Sequence, residues 1–214
     1  MLFFGEIGFP FLCIGIIDCF KTPFRLQDHI LHMSTSIGIS IYPQDGEDDK
    51  ILLKNADISM YDAKKKGPGN FSFFSEEMNN ASLERLAIEA NLRKAIQNNE
   101  LSLVYQPQKN MHKGDFRNAE ALIRWNNPEL GFVSPGVFIP IAEETGLINQ
   151  LDLWVISEVC KQLKKWKDQG LVNLTVAINV SAGHLISNSL LEHIKTEIIV
   201  NQLKAEQLEI EITM

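Results

Sequence analysis

The sequence predicts a mixed α/β protein made of two successive units. Three features carry that expectation. Apolar residues alternate over short runs and recur every three to four positions over longer ones, the two periods of strand and helix. In the second half, after an opening helix, the runs follow the order strand, strand, helix, strand, helix, strand, which implies parallel βαβ units. A polar break near Asn79 separates that half from a shorter strand–helix–strand unit before it. With 214 residues, the chain suits one full domain or two partial ones. It falls short of the roughly 250 residues typical of a closed (β/α)8 barrel.

The first twenty residues, MLFFGEIGFPFLCIGIIDCF, contain an uncharged run from Ile7 to Ile17. That run is shorter than the about 20 residues needed to span a bilayer. No basic segment precedes it and no small-residue cleavage site follows, so a signal peptide is disfavoured. Pro10 argues against a continuous helix there. A core strand, a helix end, or an N-terminus out of its original context all remain open, and residues 1–16 stay unassigned.

Residues 33–43 alternate Ile37, Ile39 and Ile41 with small residues and predict a strand, stopped by Pro43 and the turn-rich QDGEDD. Residues 50–66 place Leu52, Leu53, Ala56, Ile58, Met60 and Ala63 at helical spacing. Lys64, Lys65 and Lys66, then Gly67, Pro68 and Gly69, mark the end of that helix. FSFF at 71–74 predicts a short strand.

The second unit opens with a helix capped by Ser82, with Leu83, Leu86, Ala87 and Ala90 on one face. LSLVYQP at 101–107 and NAEALIRW at 118–125 are strand patterns. Leu151, Val155, Val159, Leu163 and Trp166 predict a helix over 149–169, ended by Gly170. LTVAINV at 174–180 is a dense apolar strand of the kind covered on both faces. Residues 183–203 predict a further helix, and LEIEIT at 208–213 a last strand. A sheet that stops on an uncovered strand has a long unpaired edge, so the sequence reads as the front part of something longer. On its own the chain is expected to aggregate or to need another chain that completes a half-barrel.

Composition narrows the function classes. The 45% hydrophobic and 22% charged residues are ordinary for a globular protein and argue against a disordered, collagen-like or multi-span membrane chain. A net charge of −7 speaks against broad attraction to nucleic acid polymers or anionic lipid. Cys13, Cys19 and Cys160 show no metal or disulfide spacing, so buried thiols in a reducing cytoplasm are the simplest reading. His29, His32, His112, His184 and His193 form no ligand pattern and read as surface or local hydrogen-bonding residues. Trp125, Trp154 and Trp166 read as packing residues, and AEET at 142–145 as a helix end.

Chemistry in parallel α/β folds gathers at the carboxyl ends of the strands. Each strand of the second unit has an oxygen-bearing side chain in or beside its apolar run: Gln106, Glu120, Asn179 and Glu211. A carboxylate in an apolar strand is costly unless it is paired or bound to a cation. Two carboxylates and an amide on successive strands suit a hard cation such as Mg²⁺ or Mn²⁺. Arg124, four residues after Glu120, could take a phosphate or pair with a carboxylate. From spacing alone the simpler account has Glu120 pairing with Arg124 on an exposed strand face, and Asn179 satisfying backbone at a strand end.

AEALIRW, with Glu120, Ala121 and Leu122, resembles the signature of the EAL domain, the cyclic di-GMP phosphodiesterase family. YQP at 105–107, EALIRWNNPELGFVSPGVFIPIAEETGLI at 120–148, the LDLWVISEVCKQLKKW helix, INVS at 178–181 and LEIEIT at 208–213 fall in family order and spacing. This likeness covers residues 84–214 and implies a TIM-like (β/α) barrel, here incomplete. STSIGISIYPQDGED at 34–48 and ADISMYDAKKKG at 56–67 resemble the tail of a GGDEF domain, the diguanylate cyclase family. That likeness covers residues 17–78, a truncated unit.

The resemblance implies roles. Glu120, Asn179 and Glu211 match positions that bind catalytic divalent metals, Glu120 being catalytic. Gln106, Leu122 and Arg124 match positions that contact the dinucleotide. The implied reaction is metal-assisted hydrolysis of one phosphodiester of cyclic di-GMP to linear pGpG, with cations activating water and neutralising a phosphorane-like transition state. The departures count too. The aspartate pair, the lysine and other polar residues that complete the family's site find no match here, and Met214 stands where members usually have glutamate. Phosphodiesterase activity of the isolated chain is therefore not expected. A GGDEF signature is not present, FFGEIGF at 3–9 being too close to the matching region. Pro68 and Gly69 replace the arginine and asparagine usual after the first glycine, so diguanylate cyclase activity is not expected either. Lys64 to Lys66 read as a solvated helix C-terminus favoured by the dipole. His184 occupies a place where the family often has glutamine. Three readings follow: a phosphodiesterase by descent, a non-catalytic module binding cyclic di-GMP or a protein partner, and a remnant of a disrupted gene.

Overall fold

The computed structural model describes residues 8–109, 116–185 and 188–213. The chain divides into two compact units, residues 1–84 and 85–214. In the first, helix α1 (Gly8–Lys21) leads to a hairpin of β1 (Phe24–Leu26) and β2 (His29–Leu31). α1 settles the apolar N-terminal run as helix. Pro10 lies in its first turn, where no intrahelical N–H bond is lost, so it does not break the element. FFGEIGF at 3–9 lies mostly outside the described residues.

β3 (Ile37–Ile39) and β4 (Phe71–Phe73) pair in parallel, Ile37 opposite Phe71, and α2 (Asp49–Lys65) connects them. Asp48 caps α2 by accepting the Ile51 N–H at 2.8 Å. Gly38 is required by a close approach: a Cβ there would lie 2.0 Å from the Ala56 carbonyl oxygen and 2.2 Å from the Met60 nitrogen. Polar pins complete this small unit. The Ser72 hydroxyl donates to Asp62 at 2.7 Å and Lys66 pairs with Asp62 at 2.7 Å. The hydrogen bond from Lys66, then that from Ser72, hold the Asp62 carboxyl below its ordinary range.

α3 (Glu76–Ala95) begins six residues before the expected cap at Ser82. Nothing in EEMNNA breaks a helix, and Glu76 and Glu77 favour its N-terminus. Its face also differs from expectation. Leu83 and Leu86 are exposed, while Ile88, Leu92 and Ala95 enter the core. The spacing of 88, 92 and 95 is equally helical; which stripe is buried depends on where the sheet lies.

That sheet has five strands: β5 (Leu101–Gln108), β6 (Asn118–Asn127), β7 (Gly131–Val133), β8 (Thr175–Ser181) and β9 (Leu208–Thr213). The order β5-β6-β8-β9 runs edge to edge without closing, and β7 adds to β6. β6, β8 and β9 are parallel, as expected, but β5 and β6 are antiparallel. β5 ends at Gln108 and β6 begins at Asn118, a connection shorter than the dozen or more residues a parallel crossover needs, so they pair as neighbours of opposite direction. α4 (Pro135–Thr145) and α5 (Ile148–Asp168) cross between β7 and β8. α4 carries the signal of Ser134 followed by Pro135 at its first turn, which the periodic pattern alone does not show. Where a helix is expected over 183–203, the described residues form α6 (Ala182–Leu185) and α7 (Asn188–Val200), residues 186 and 187 lying outside the described set.

One apolar cluster joins α3, α4 and the start of α5 around Trp125 and Phe138, both fully buried and stacked edge to face at 5.5 Å. A second places Val155, Ile156, Val159, Cys160 and Leu163 of α5 against Ala121, Val176, Ile178 and Val180. Trp154 and Trp166 pack against these clusters. Cys13 and Cys160 are buried, whereas Cys19 is exposed, against expectation: it lies on an outward position of α1, which the chain's composition does not reveal. Among the described residues no helix is long and apolar enough to cross a membrane.

Candidate functional site

Strand alternation makes one side of this sheet apolar and leaves the other polar. On β6, Ala121 and Trp125 enter the cores, so Glu120, Leu122 and Arg124 project to the opposite face. Gln106 lies directly across from Glu120 and therefore shares its face. Glu120 is level with Ala177, so Asn179 is two residues further along β8 on the same side. Glu211 is the register partner of Asn179. All six residues expected from the sequence thus fall on one face.

Two are in direct contact. The Asn179 amide donates to Glu120 Oε1 at 2.9 Å across 59 residues of sequence. Glu120 is therefore held by Asn179 rather than by Arg124, and the Glu120–Arg124 pairing drawn from spacing is not what the structure shows. Arg124 instead turns one guanidinium N–H to the Ile123 carbonyl at 2.8 Å. Leu122, Arg124 and Asn179 line a cavity of about 310 Å³ that also reaches Ile139 and Glu143 of α4 and Asp152 of α5. Gln106, Glu120 and Glu211 lie outside its lining.

The donor chemistry fits a hard divalent cation. Two carboxylates and one amide oxygen on adjacent strands are the ligand types that Mg²⁺ and Mn²⁺ take. Among the described residues no group of three or more histidines, cysteines, aspartates and glutamates is gathered for a metal. The set is two carboxylates and an amide.

Three residues near the cavity escaped sequence reasoning. Asp152 is 4% exposed, Ser181 7% and His184 2%. Asp152 Oδ2 accepts from the Ser181 hydroxyl at 3.1 Å and from His184 Nδ1 at 3.0 Å. Of the two readings open for His184, surface or local hydrogen bonding, the structure shows the second: it is buried and bonded to Asp152. Burial pushes the Asp152 carboxyl up from its ordinary value, and the bonds from His184 and Ser181 offset part of that. The missed signal was a carboxylate on the buried stripe of a helix, between Leu151 and Val155. His193 is half-buried, and its Nε2 meets Ser157 Oγ at 2.9 Å and the Leu153 carbonyl at 3.1 Å. His29 and His32 are exposed, and His112 lies outside the described residues.

The second unit is thus an open α/β sheet with apolar side chains packed under helices on one face and carboxylate and amide side chains on the other. The EAL domain family model matches residues 89–214, and the chain belongs to that family. The model described as diguanylate cyclase, GGDEF domain, matches residues 12–70. Among curated relatives, the signaling protein YkoW of Bacillus subtilis is 44% identical over 92% of this chain. The cyclic di-GMP phosphodiesterase PdeR of Escherichia coli is 39% identical over 93%. The chain spans 25% of the length of the first and 30% of the second. A solved structure described as PaMucR phosphodiesterase in complex with c-di-GMP superposes with a TM-score of 0.55 at 34% identity. It covers 58% of this chain and 50% of its own.

Proposed function

We propose that the unit from Arg85 onward binds cyclic di-GMP on the face of its sheet that carries Glu120 and Asn179, as the front portion of an EAL-type phosphodiesterase site. The observation that carries this is the Asn179–Glu120 hydrogen bond with Glu211 in register beside it. Relatives named as cyclic di-GMP phosphodiesterases support it.

Glu120, Asn179 and Glu211 would hold Mg²⁺ or Mn²⁺, and such an ion supplies Lewis-acid polarisation of a phosphoryl oxygen and an acidified water. Arg124 has a guanidinium suited to a phosphate. Gln106, opposite Glu120, offers an amide to the dinucleotide, and Leu122 an apolar wall in the cavity. Glu120 positions the Asn179 amide and is positioned by it. Three oxygen donors supply only about half of an octahedral shell, and the sheet is open. The reading therefore expects binding without turnover by these 214 residues alone. Further strands pairing at the β9 edge, from the same polypeptide or a partner chain, would add the missing ligands. A cytoplasmic setting, where the dinucleotide acts as a messenger, belongs to the same proposal.

Titration calorimetry with cyclic di-GMP and Mn²⁺ tests it. Saturable heat that disappears in Glu120→Gln supports the assignment, and absence of any heat in the unaltered chain ends it. Release of pGpG would refute the expectation of binding without turnover.

A further inference from the structure

Hydrogen bonding between β6 and β8 stops early. The register couples Asn118–Ala121 with Thr175–Ile178 and goes no further. From Asn179 to Ser181, β8 keeps its ladder to β9 but has none toward β6. The gap beside it is part of the cavity lined by Leu122, Arg124, Asn179 and Ser181. Asn179 nevertheless reaches across to Glu120 at 2.9 Å. Something other than the β6 ladder must therefore fix the end of β8.

Asp152 is placed to do so. One of its oxygens, Oδ2, accepts from the Ser181 N–H at 3.4 Å, the Ser181 hydroxyl at 3.1 Å and His184 Nδ1 at 3.0 Å. A carboxylate offers no proton, so the hydrogen sits on Nδ1 of His184. Ser181 is the last residue of β8 and Ala182 the first of α6. The cluster thus clamps the strand-to-helix corner onto the buried face of α5 near its N-terminal end. Its three side chains are buried, and removing one donor would leave a buried carboxylate short of partners.

We propose that Asp152 and His184 are positioning residues, which hold the end of β8 so that the Asn179 amide stays within reach of Glu120. Their relevance to cyclic di-GMP rests on the function proposed above; the positioning itself does not.

The test uses the 214-residue chain and two readouts. The first is the side-chain amide resonance of Asn179 in ¹H–¹⁵N spectra. The second is the Kd for cyclic di-GMP with Mn²⁺. In His184→Ala the Asn179 resonance should move and binding should weaken by about tenfold or more, the scale seen when groups orienting a ligand set are removed. His184→Gln, a neutral donor of similar reach, should restore both. His193→Ala, which alters a polar contact between α5 and α7, should change neither. Should His184→Ala fail to fold, Asp152→Asn, which keeps the volume but removes the charge, should show the same shift. An Asn179 resonance unmoved in a folded His184→Ala or Asp152→Asn variant overturns the proposal. So does an equal shift in His193→Ala. If the unaltered chain binds no cyclic di-GMP, the functional reading fails while the resonance arm still decides the positioning.

Discussion

The two faces of the β5-β6-β8-β9 sheet are built from the same strands, one residue out of phase, yet they behave as different materials. On one face Ala121, Trp125, Val176, Ile178 and Val180 are buried beneath helices. On the other, Glu120, Leu122, Arg124, Asn179 and Glu211 are only partly covered. A slip of one position would exchange the two sets, so the apolar face is what fixes the register of the polar one. The site inherits its geometry from the core on the other side of its strands. The first unit shows what happens with less core. Its β3 and β4 are three residues long, and polar pins from Ser59, Asp62, Lys66 and Ser72 do much of the holding.

The largest expected effect is on the apolar face. Trp125→Ala should destabilise the second unit by about 3–5 kcal/mol, because it empties a fully buried site. Denaturant unfolding of the variant measures this; a loss as small as that of a surface substitution would break the division between the faces. Next is a pH effect on the same cluster. Burial raises the Glu100 carboxyl, but hydrogen bonds from Trp125, Asn98 and Asn127 outweigh it and hold the group below its ordinary 4.5. A lowered carboxyl contributes stability above its unfolded value, and that stability is lost as pH falls through the folded one. Melting temperatures should therefore drop as pH falls below 4.5, and Glu100→Gln should flatten that slope.

On the polar face the same measurement should barely respond. Glu120→Gln should change unfolding free energy by no more than about 0.5 kcal/mol, as expected away from the packed core, while abolishing cyclic di-GMP heat. A large stability loss would mean that Glu120 serves the fold rather than a ligand. The smallest effect concerns cysteine reactivity. Burial pushes the Cys160 thiol up to about 12, and Cys13 is also buried and raised. Mass spectrometry after mild alkylation of the folded chain should find label on Cys19 alone.

Much of this architecture was legible before any coordinates. The alternation in LSLVYQP, NAEALIRW and LEIEIT and the helical spacing from Leu151 to Trp166 gave elements that the fold contains. The misses have specific causes. Pro10 counted against a helix because its position in the first turn was invisible without a start point. α3 presented two helical stripes, Leu83–Leu86 and Ile88–Leu92–Ala95, and only the sheet chose between them. The antiparallel pairing of β5 with β6 was hidden under a rule suited to strands joined by helices. At the site, Glu120, Asn179 and Glu211 were visible as oxygens out of place in apolar strands. Asp152 and His184 were not, because one looks like an ordinary helix carboxylate and the other reads equally as a surface or a local hydrogen-bonding histidine.

The amino-acid order by itself determined which residues lie on opposite sides of each strand, since side-chain alternation is local covalent geometry. It also determined the chemistry on offer at the candidate site, the carboxylates of Glu120 and Glu211, the amides of Gln106 and Asn179 and the guanidinium of Arg124. Only the tertiary structure decided which of these meet. The Asn179–Glu120 bond spans 59 residues and the His184–Asp152 bond 32. Contacts over such separations depend on strand register and on how helices cross between strands, which no local period encodes.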